Sequence, residues 1–358
     1  MARQNRGVVI KPSEVQIVHT HQRCVRRAYL CGLDNANEKS YEHRRGWVRS
    51  RLEELAAAFG IECLTYAVMS NHLHLVLRSR PDVVTKWSDI EVAKRWLKIY
   101  PGPKPRSGKP KVSLEDKAKQ LAGDSKRIAE LRIRLSNISW WMRSVSENIS
   151  RRSNLEDEVT GHFWEGRFKA TVLLDEASVL ACACYVDLNP IRAAMAESIE
   201  NSSYTGACDR LKDLTSSLQT KCPPEKFDER QESFKNSGWL SPLMIDEAKD
   251  PIGADLCRDG RRASNKGFLR ISLPQYLELL EWTGRQLRVD KRGKIPESLA
   301  PLVERLGVDV EGWFLLVKRF RKVFRRAAGT PESLAAEAKR RGTSWICAPG
   351  NPFQHLAA

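Results

Sequence analysis

The sequence lacks long apolar runs, paired cysteines and internal repeats. No uninterrupted apolar stretch approaches the roughly 18 residues that a membrane-spanning helix needs, so we expect no membrane partner. The first residues contain no apolar core of a secretory signal, and we therefore expect a cytoplasmic protein. The 9 cysteines are scattered without a Cys-x-x-Cys pair, which argues against a disulfide framework and favours a reducing compartment.

Acidic residues are too few to balance the basic ones. The 358 residues include 60 Lys or Arg against 44 Asp or Glu, a formal net charge of +16, and a hydrophobic fraction of 41% suffices for the cores of roughly two domains. Residues 86–152 alone hold 17 basic against 7 acidic side chains. This local excess favours a nucleic-acid partner, although a solvated helical face is the alternative.

The first part of the chain has an α+β pattern. Residues 15–21 alternate as a strand does, and Ser40 predicts the N-cap of a helix that Gly60 ends. Residues 61–69 and 72–78 then predict two strands joined by a tight turn. The order strand, helix, strand, strand places an antiparallel hairpin at the centre of this part.

The rest of the chain is predicted to be mainly helical. A short helix over residues 91–100 is followed by a Pro- and Gly-rich exposed linker at 101–111, after which helices resume. Residues 200–238 are polar and predict an interdomain connection, and the remainder to residue 358 has helical periodicity.

A His-x-His pair stands out in the second strand of the hairpin. The strand period of two places His72 and His74 on one face, with Leu73, Leu75 and Leu77 on the other. Two imidazoles at that spacing can hold one divalent cation. The alternative is a pair of partly buried strand histidines without a ligand.

Tyr185 and Asn189 lie four residues apart near the end of a helix that Asp175 caps, so both project from one face. A phenol becomes a useful nucleophile towards a phosphate that a metal polarises, and the Asn amide oxygen can be a ligand. The alternative is a core tyrosine followed by a helix-ending Asn-Pro. Cys182 and Cys184 point to different helix faces and are interpreted as buried thiols.

Residues 161–170 alternate aromatic and basic side chains, among them Trp164, Arg167 and Lys169. Such a segment is suited to stacking on bases and pairing with phosphates. A strand with a packed aromatic face explains the pattern equally well.

Three motifs, taken in order, carry a family resemblance: YAVMSNHLHLV at 66–76, FWEGRFK at 163–169 and YVDLNPIRA at 185–193. Together they resemble the single-tyrosine HUH transposases, and among these the REP-associated tyrosine transposases. The likeness covers roughly residues 15–196.

The resemblance implies a ferredoxin-like antiparallel sheet with flanking helices, the HUH fold. It also implies that His72, His74 and Asn189 bind Mg²⁺ or Mn²⁺. Tyr185 would attack single-stranded DNA near a hairpin, keep the 5′ phosphate and free a 3′ hydroxyl, so the resemblance implies a DNA transposase. The side chains assigned to DNA contact are Arg143, Arg151, Arg152, Trp164, Arg167 and Lys169.

The domain organisation departs from a minimal catalytic domain of that family. We assign residues 1–200 to the catalytic domain with a basic insertion at 86–135, residues 201–238 to a linker, and residues 239–358 to an all-helical C-terminal domain. The oligomeric state, monomer or homodimer, is left open. A non-catalytic, domesticated nucleic-acid-binding regulator is the alternative function, and the lack of a helicase-type phosphate loop disfavours a multidomain replication initiator or relaxase.

Overall fold

The computed structural model describes residues 9–25, 30–34, 38–102, 112–219, 236–245, 253, 255–287 and 296–355. The strands are β1 (Ile17–Arg23), β2 (Leu33–Asp34), β3 (Lys39–Ser40), β4 (Ile61–Val68), β5 (His72–Ser79), β6 (Lys169–Leu173) and β7 (Ala327–Ala328). The helices are α1 (His43–Ala58), α2 (Pro81–Val84), α3 (Asp89–Ile99), α4 (Leu114–Ala122), α5 (Ser125–Leu135), α6 (Ile138–Glu156), α7 (Glu176–Asp187), α8 (Asn189–Arg192), α9 (Gly206–Gln219), α10 (Leu273–Gln286), α11 (Ala300–Arg305), α12 (Val310–Val323) and α13 (Pro331–Arg340). Among the described residues, none of the helices is both long and apolar enough to cross a membrane.

A five-stranded sheet forms the centre of the fold, in the order β4-β5-β1-β6-β7. The strand β1 pairs antiparallel with β5 and with β6, and β4 pairs antiparallel with β5, whereas β6 and β7 are parallel. Along the chain β1, α1, β4, β5, the helices to α6, and β6 follow a β-α-β-β-α-β succession. The predicted strand-helix-strand-strand start with its antiparallel hairpin is confirmed.

The limits of α1 differ from the prediction at one end. The helix begins at His43 behind Glu42, while Ser40 lies in the short strand β3, so the predicted N-cap is wrong. The helix does end just before Gly60. A Cβ at Gly60 would lie 2.1 Å from Cγ2 of Val84, so the close approach of α2 requires a glycine here.

One face of the sheet is apolar and is covered by α1, α3, α5 and α6. Leu73, Leu75 and Leu77 of β5 are buried on this face, as the alternation predicted. The predicted apolar stripe of α6 is also buried and consists of Ile138, Trp141, Met142, Val145 and Ile149. We call this side of the sheet the apolar face.

The opposite face is covered by α7, with α10 and α12 packed beyond and beside it. Every residue of α7 after Glu176 is buried, so this helix must be enclosed on all sides. Cys182 and Cys184 are among them, and burial raises the pKa of both thiols well above its usual range. The interpretation of these two cysteines as buried thiols is confirmed. We call this side the histidine face, for the residues described below.

Asp187 fixes the C-terminal end of α7. Its fully buried carboxylate accepts hydrogen bonds from the Thr65 hydroxyl at 2.7 Å, the Tyr276 hydroxyl at 2.5 Å and the Ala207 amide at 3.0 Å. These donors belong to β4, α10 and α9, so one side chain joins α7 to three elements. Burial raises the pKa of Asp187, and the hydrogen bonds from Tyr276 and Thr65 oppose that rise.

The C-terminal part shares the sheet and the core with the first part. Within the predicted linker at 201–238, the structure has the helix α9 against β4, and residues 220–235 lie outside the described ranges. The predicted all-helical part at 239–358 contributes the strand β7, so it is not wholly helical. The guanidinium of Arg78 in β5 donates to the carbonyl oxygen of Lys266 at 2.6 Å. The domain boundaries themselves stay a prediction.

The predicted basic insertion contains α3, α4 and α5, and the Pro-rich residues 103–111 lie outside the described ranges. Much of its positive charge is paired with nearby carboxylates. The pairs are Lys94 with Glu115, Arg95 with Glu91, Arg132 with Asp89, and both Arg127 and Arg134 with Glu130. These carboxylates belong to the same stretch and are already counted in its charge, so the pairing leaves the local excess of positive charge unchanged.

Candidate active site

Four of the 7 histidines of the chain lie together on the histidine face. His19 and His21 come from β1, and His72 and His74 come from β5, with His21 directly opposite His74 in the register. The ring centroid of His74 lies 5.2 Å from that of His19, 5.7 Å from that of His21 and 4.8 Å from that of His72. His74 is thus the centre of the group and is completely buried.

Hydrogen bonds at Nδ1 orient both imidazoles of the His-x-His pair. Nδ1 of His72 lies 2.6 Å from Oδ1 of Asn71. In the tautomer that donates to this oxygen, Nδ1 carries the proton and Nε2 presents a lone pair. Nδ1 of His74 lies 2.9 Å from Nε2 of His19, and Nε2 of His74 has no hydrogen-bond partner. When His74 donates in this bond, its buried Nε2 also presents a lone pair. Partners of this kind on the second nitrogen are typical of histidines that bind metals.

The environment keeps these imidazoles neutral. Burial, aided by the positive charge of Arg321, lowers the pKa of His19 to about 3 and that of His72 to about 4. The pKa of His21 falls to about 2 for the same reasons, and the pKa of His74 lies well below its usual value. The neutral imidazole is the form that coordinates a cation, so binding at neutral pH requires no loss of a proton.

Tyr185 of α7 lies against the histidine group. Its ring centroid is 5.6 Å from that of His74 and 5.9 Å from that of His19. The guanidinium carbon of Arg192 lies 4.0 Å from the Tyr185 ring centre, and Phe320 of α12 packs at 5.8 Å. Tyr185 is 7% exposed. The phenol predicted as a nucleophile and an imidazole predicted as a ligand are therefore side by side.

Asn189, the third predicted ligand, begins α8 one turn beyond Tyr185 and is 7% exposed. Its Nδ2 atom is buried without a hydrogen-bond partner, as is Nε2 of His74. Within the described ranges, no three His, Cys, Asp or Glu side chains are grouped so that they could hold a metal ion. A cation here would take two imidazole nitrogens and complete its shell with oxygen from the amide, the substrate or water. Imidazole ligands make such a mixed set less selective for Mg²⁺ than an all-oxygen site, so Mn²⁺ should serve as well or better.

An open cleft of about 370 Å³ adjoins His72 and is lined by basic side chains. Arg23 comes from β1, Arg167 and Lys169 come from the turn before β6 and from its start, and Arg321 comes from α12. We call this the basic cleft. Two of the predicted DNA-contacting residues, Arg167 and Lys169, are thus exposed beside a predicted metal ligand.

The one aromatic residue assigned to DNA, Trp164, is in a different environment. Trp164 is 9% exposed, and its indole nitrogen donates to the carbonyl oxygen of Ser146 at 3.0 Å. Phe163 is also buried, so this segment has the packed aromatic face that was the alternative prediction. The Trp164 ring is not available to stack on a base in this structure.

The three arginines of α6 that were assigned to DNA lie outside the basic cleft. Arg143 pairs with Glu147 at 2.7 Å, and Arg152 stacks on the ring of Trp47 at 3.9 Å. Arg151 is exposed. The structure thus brings Arg167 and Lys169 to the basic cleft, whereas Arg143 lines an adjoining cleft that also contains Arg167. Arg151 and Arg152 line neither cleft.

Sequence reasoning missed five residues of this site: His19, His21, Arg192, Phe320 and Arg321. His19 and His21 form a second His-x-His at the strand period, which was visible in the first predicted strand. Arg192 lies within the YVDLNPIRA motif without having been singled out. Phe320 and Arg321 belong to a distant helix, and no local pattern connects them to the site.

Comparisons with known proteins add little to this geometry. No protein-family model matches the chain, and no curated protein matches it. Among solved structures, the chain is similar to a REP-associated tyrosine transposase bound to a REP hairpin, with a TM-score of 0.35 and 11% identity. The similarity covers 64% of this chain and 93% of that one. A likeness at this level does not place the chain in that family.

Proposed function

We propose that the protein is a metal-dependent DNA strand transferase of the HUH type, a transposase that cleaves and rejoins single-stranded DNA near hairpins. The observation that carries the proposal is the 5.6 Å separation of the Tyr185 and His74 rings, which joins a helix and a strand 111 residues apart in the sequence. The three sequence motifs that resemble the REP-associated tyrosine transposases support the same function.

The reaction would be a phosphodiester exchange. The Tyr185 oxygen forms a bond to phosphorus, the bond between phosphorus and the 3′ oxygen breaks, and the phenolic proton passes through solvent to the departing 3′ oxygen. The product is a 5′-phosphotyrosine and a free 3′ hydroxyl. Because one ester replaces another, a later 3′ hydroxyl can reverse the attack and rejoin the strand.

The residues around Tyr185 have distinct tasks in this proposal. His72 and His74, with Asn189, would hold a divalent cation, which would neutralise charge on the non-bridging phosphate oxygens. His19 is a positioning residue, because its bond to Nδ1 of His74 orients that imidazole. The positive guanidinium of Arg192, stacked on the phenol, favours the negative charge that develops on the attacking oxygen.

The experiment incubates the full chain with a panel of labelled hairpin oligonucleotides and Mn²⁺ and looks for a protein–DNA conjugate that survives denaturation. Wild type should form the conjugate, and Tyr185→Phe should abolish it while binding stays within about twofold. Tyr100→Phe is the matched control, because Tyr100 packs against Trp96 on the apolar side of the sheet. A conjugate formed by the Phe variant of Tyr185 would show that the nucleophile is misassigned.

One observation favours a second function, a non-catalytic nucleic-acid-binding regulator. Tyr185 is 7% exposed and Phe320 covers one side of it, an arrangement also typical of a structural tyrosine. A regulator would bind hairpins tightly and in a salt-dependent way, and no divalent cation would produce a conjugate. The same oligonucleotide panel therefore separates the two functions.

A further inference from the structure

The basic cleft has an excess of positive charge that the carboxylates of the described residues do not neutralise. Arg23, Arg167, Lys169 and Arg321 line it, and its one carboxylate, Glu165, lies 3.6 Å from Arg23. Within the described residues, no ion pair involves the other three cations. Cations left unpaired along a concave surface attract anions, because the cleft walls concentrate their field.

One of these cations, Arg321, belongs to the helix α12 in the C-terminal part. Phe320 is completely buried and packs against the rings of Tyr185 at 5.8 Å and His19 at 6.2 Å. The next residue, Arg321, is half-buried at the wall of the cleft. Phe320 therefore holds α12 against the candidate active site. This packing determines the position of the Arg321 backbone and so the part of the cleft that its guanidinium can reach.

A break in α12 lies just before this pair of residues. Arg319 has φ −126° and ψ 19°, outside the helical range. The guanidinium of Arg192 donates to the carbonyl oxygens of Val317 at 3.2 Å and Lys318 at 3.0 Å. The same guanidinium stacks on Tyr185, so one side chain connects the candidate nucleophile to the point where α12 changes direction.

We propose that Arg321 binds a backbone phosphate of a single-stranded nucleic acid in the basic cleft, together with Arg167 and Lys169. The proposal rests on the proposed function for its choice of nucleic acid. It assigns to the C-terminal part a direct share in substrate binding. Arginine suits this task because its planar guanidinium offers paired donors to phosphate oxygens.

The shape of the surface favours a strand of nucleic acid over a small anion. Arg167 and Lys169 lie two residues apart, just before and at the start of β6, and Arg321 of α12 joins them along an open cleft. A second cleft of about 570 Å³ continues the surface, and both clefts are lined by Gln22, Gly166 and Arg167. The second cleft is also lined by Arg143. A chain of phosphates can follow both clefts, whereas a single free phosphate would occupy one point.

The test measures binding of a labelled 20-nucleotide single strand by fluorescence anisotropy. It uses Tyr185→Phe as the parent and EDTA in the buffer, so that neither cleavage nor a cation affects the result. Arg321→Gln should weaken binding 5- to 20-fold and reduce the slope of log Kd against log salt by about 0.7, the value for one phosphate contact on a single strand. Arg321→Lys, which keeps the charge, should recover most of the affinity.

Lys322→Gln is the matched control, because it removes the same charge from the neighbouring, exposed position of α12. It should change Kd less than twofold. Equal losses in Arg321→Gln and Lys322→Gln would show a diffuse charge effect and would overturn the proposal. Binding of inorganic phosphate that depends on Arg321, with unchanged oligonucleotide binding, would also overturn it.

The binding assay remains informative if the proposed chemistry is wrong. Absence of a conjugate in wild type removes the strand-transfer function, yet the effect of Arg321→Gln on single-strand binding is still measured in the same parent. Conversely, wild type could form the conjugate while Arg321→Gln binds the single strand as tightly as its parent. That result would retain the strand-transfer function and would show that Arg321 is not part of the substrate site.

Discussion

The two faces of the sheet use the same strands for opposite purposes. Along β5, Leu73, Leu75 and Leu77 point into the apolar layer. His72 and His74 alternate with these leucines and point to the other side of the sheet. On β1, Val18 faces the apolar layer and His19 faces the histidines. Strand periodicity alone is enough to separate a structural face from a chemical one.

The two faces also differ in what completes them. On the apolar face α1 packs on β4, and helices that lie between β5 and β6 in the chain join it in one apolar cluster. The histidine face needs α7 and then α12, which comes more than 100 residues later and places Phe320 on Tyr185. Trp239, Leu240 and Ala263 also join the apolar cluster, so both faces draw on distant sequence. Among the described residues, it is only on the histidine face that a distant side chain, Phe320, packs on a candidate site residue.

The largest expected effect is on the histidine face and concerns the cation. Excess EDTA should reduce the rate of conjugate formation by at least about 1,000-fold, because a bound cation supplies several kcal/mol of charge stabilisation in such reactions. Mn²⁺ added after chelation should restore wild type. His74→Ala should show a similar loss that Mn²⁺ does not repair.

His43→Ala is the control for that variant, since His43 lies on the surface of α1 and pairs with Glu156 at 2.8 Å. It should leave the conjugation rate within about twofold. Undiminished conjugate formation in excess EDTA would show that no cation takes part in the mechanism. The histidine face would then lose the chemical role that distinguishes it from the apolar face.

The next effect belongs to the apolar face. Leu75→Ala should lower the free energy of unfolding by about 3 kcal/mol, because it removes a completely buried side chain and leaves a cavity. Conjugation per folded molecule should stay close to wild type. Urea unfolding and the conjugation assay measure the two effects, and Leu155→Ala, at an 81% exposed position, should leave both unchanged. A Leu75 variant that loses chemistry but not stability would contradict the division of roles.

Short-range patterns were enough to predict the local parts of this fold. The hairpin of β4 and β5, the buried stripe of α6 and the Asp175 cap of α7 follow from period, apolar spacing and capping. Ser40 was misplaced as a cap, because its segment pairs as a strand and tertiary pairing prevails over a local capping preference.

The candidate site was predictable where its residues carry their own spacing. His72 with His74, and Tyr185 with Asn189, are each visible as a local pair. The contacts of Phe320, and the approach of Arg321 to the basic cleft, depend on the pairing of β7 with β6 and on the packing of α12 against α7. Long-range packing of this kind leaves no periodic signal in the sequence.

The smallest expected effect is a change of stability with pH, and it tests whether the histidines are buried. His19 is completely enclosed, and burial lowers its pKa to about 3, whereas an unfolded histidine has a pKa near 6.5. Below pH 6.5 His19 therefore binds a proton in the unfolded chain but stays neutral in the folded chain. The free energy of unfolding falls as the pH falls. At about 1.4 kcal/mol per pH unit, this single group should account for a loss of about 2 kcal/mol between pH 6.5 and pH 5.

His19→Gln removes this proton uptake while its amide can still bond to Nδ1 of His74. In urea unfolding, the variant should lose about 2 kcal/mol less than wild type between pH 7 and pH 5. The pH 7 measurement is the internal control, because the imidazole is mostly neutral there in both states and the two proteins then differ mainly by packing. Equal losses on acidification would mean that water reaches His19 and that this face is not closed. A smaller loss in the variant would show that the buried histidines lower the stability of the protein in acid. The leucines of the apolar face do not titrate and so have no such effect.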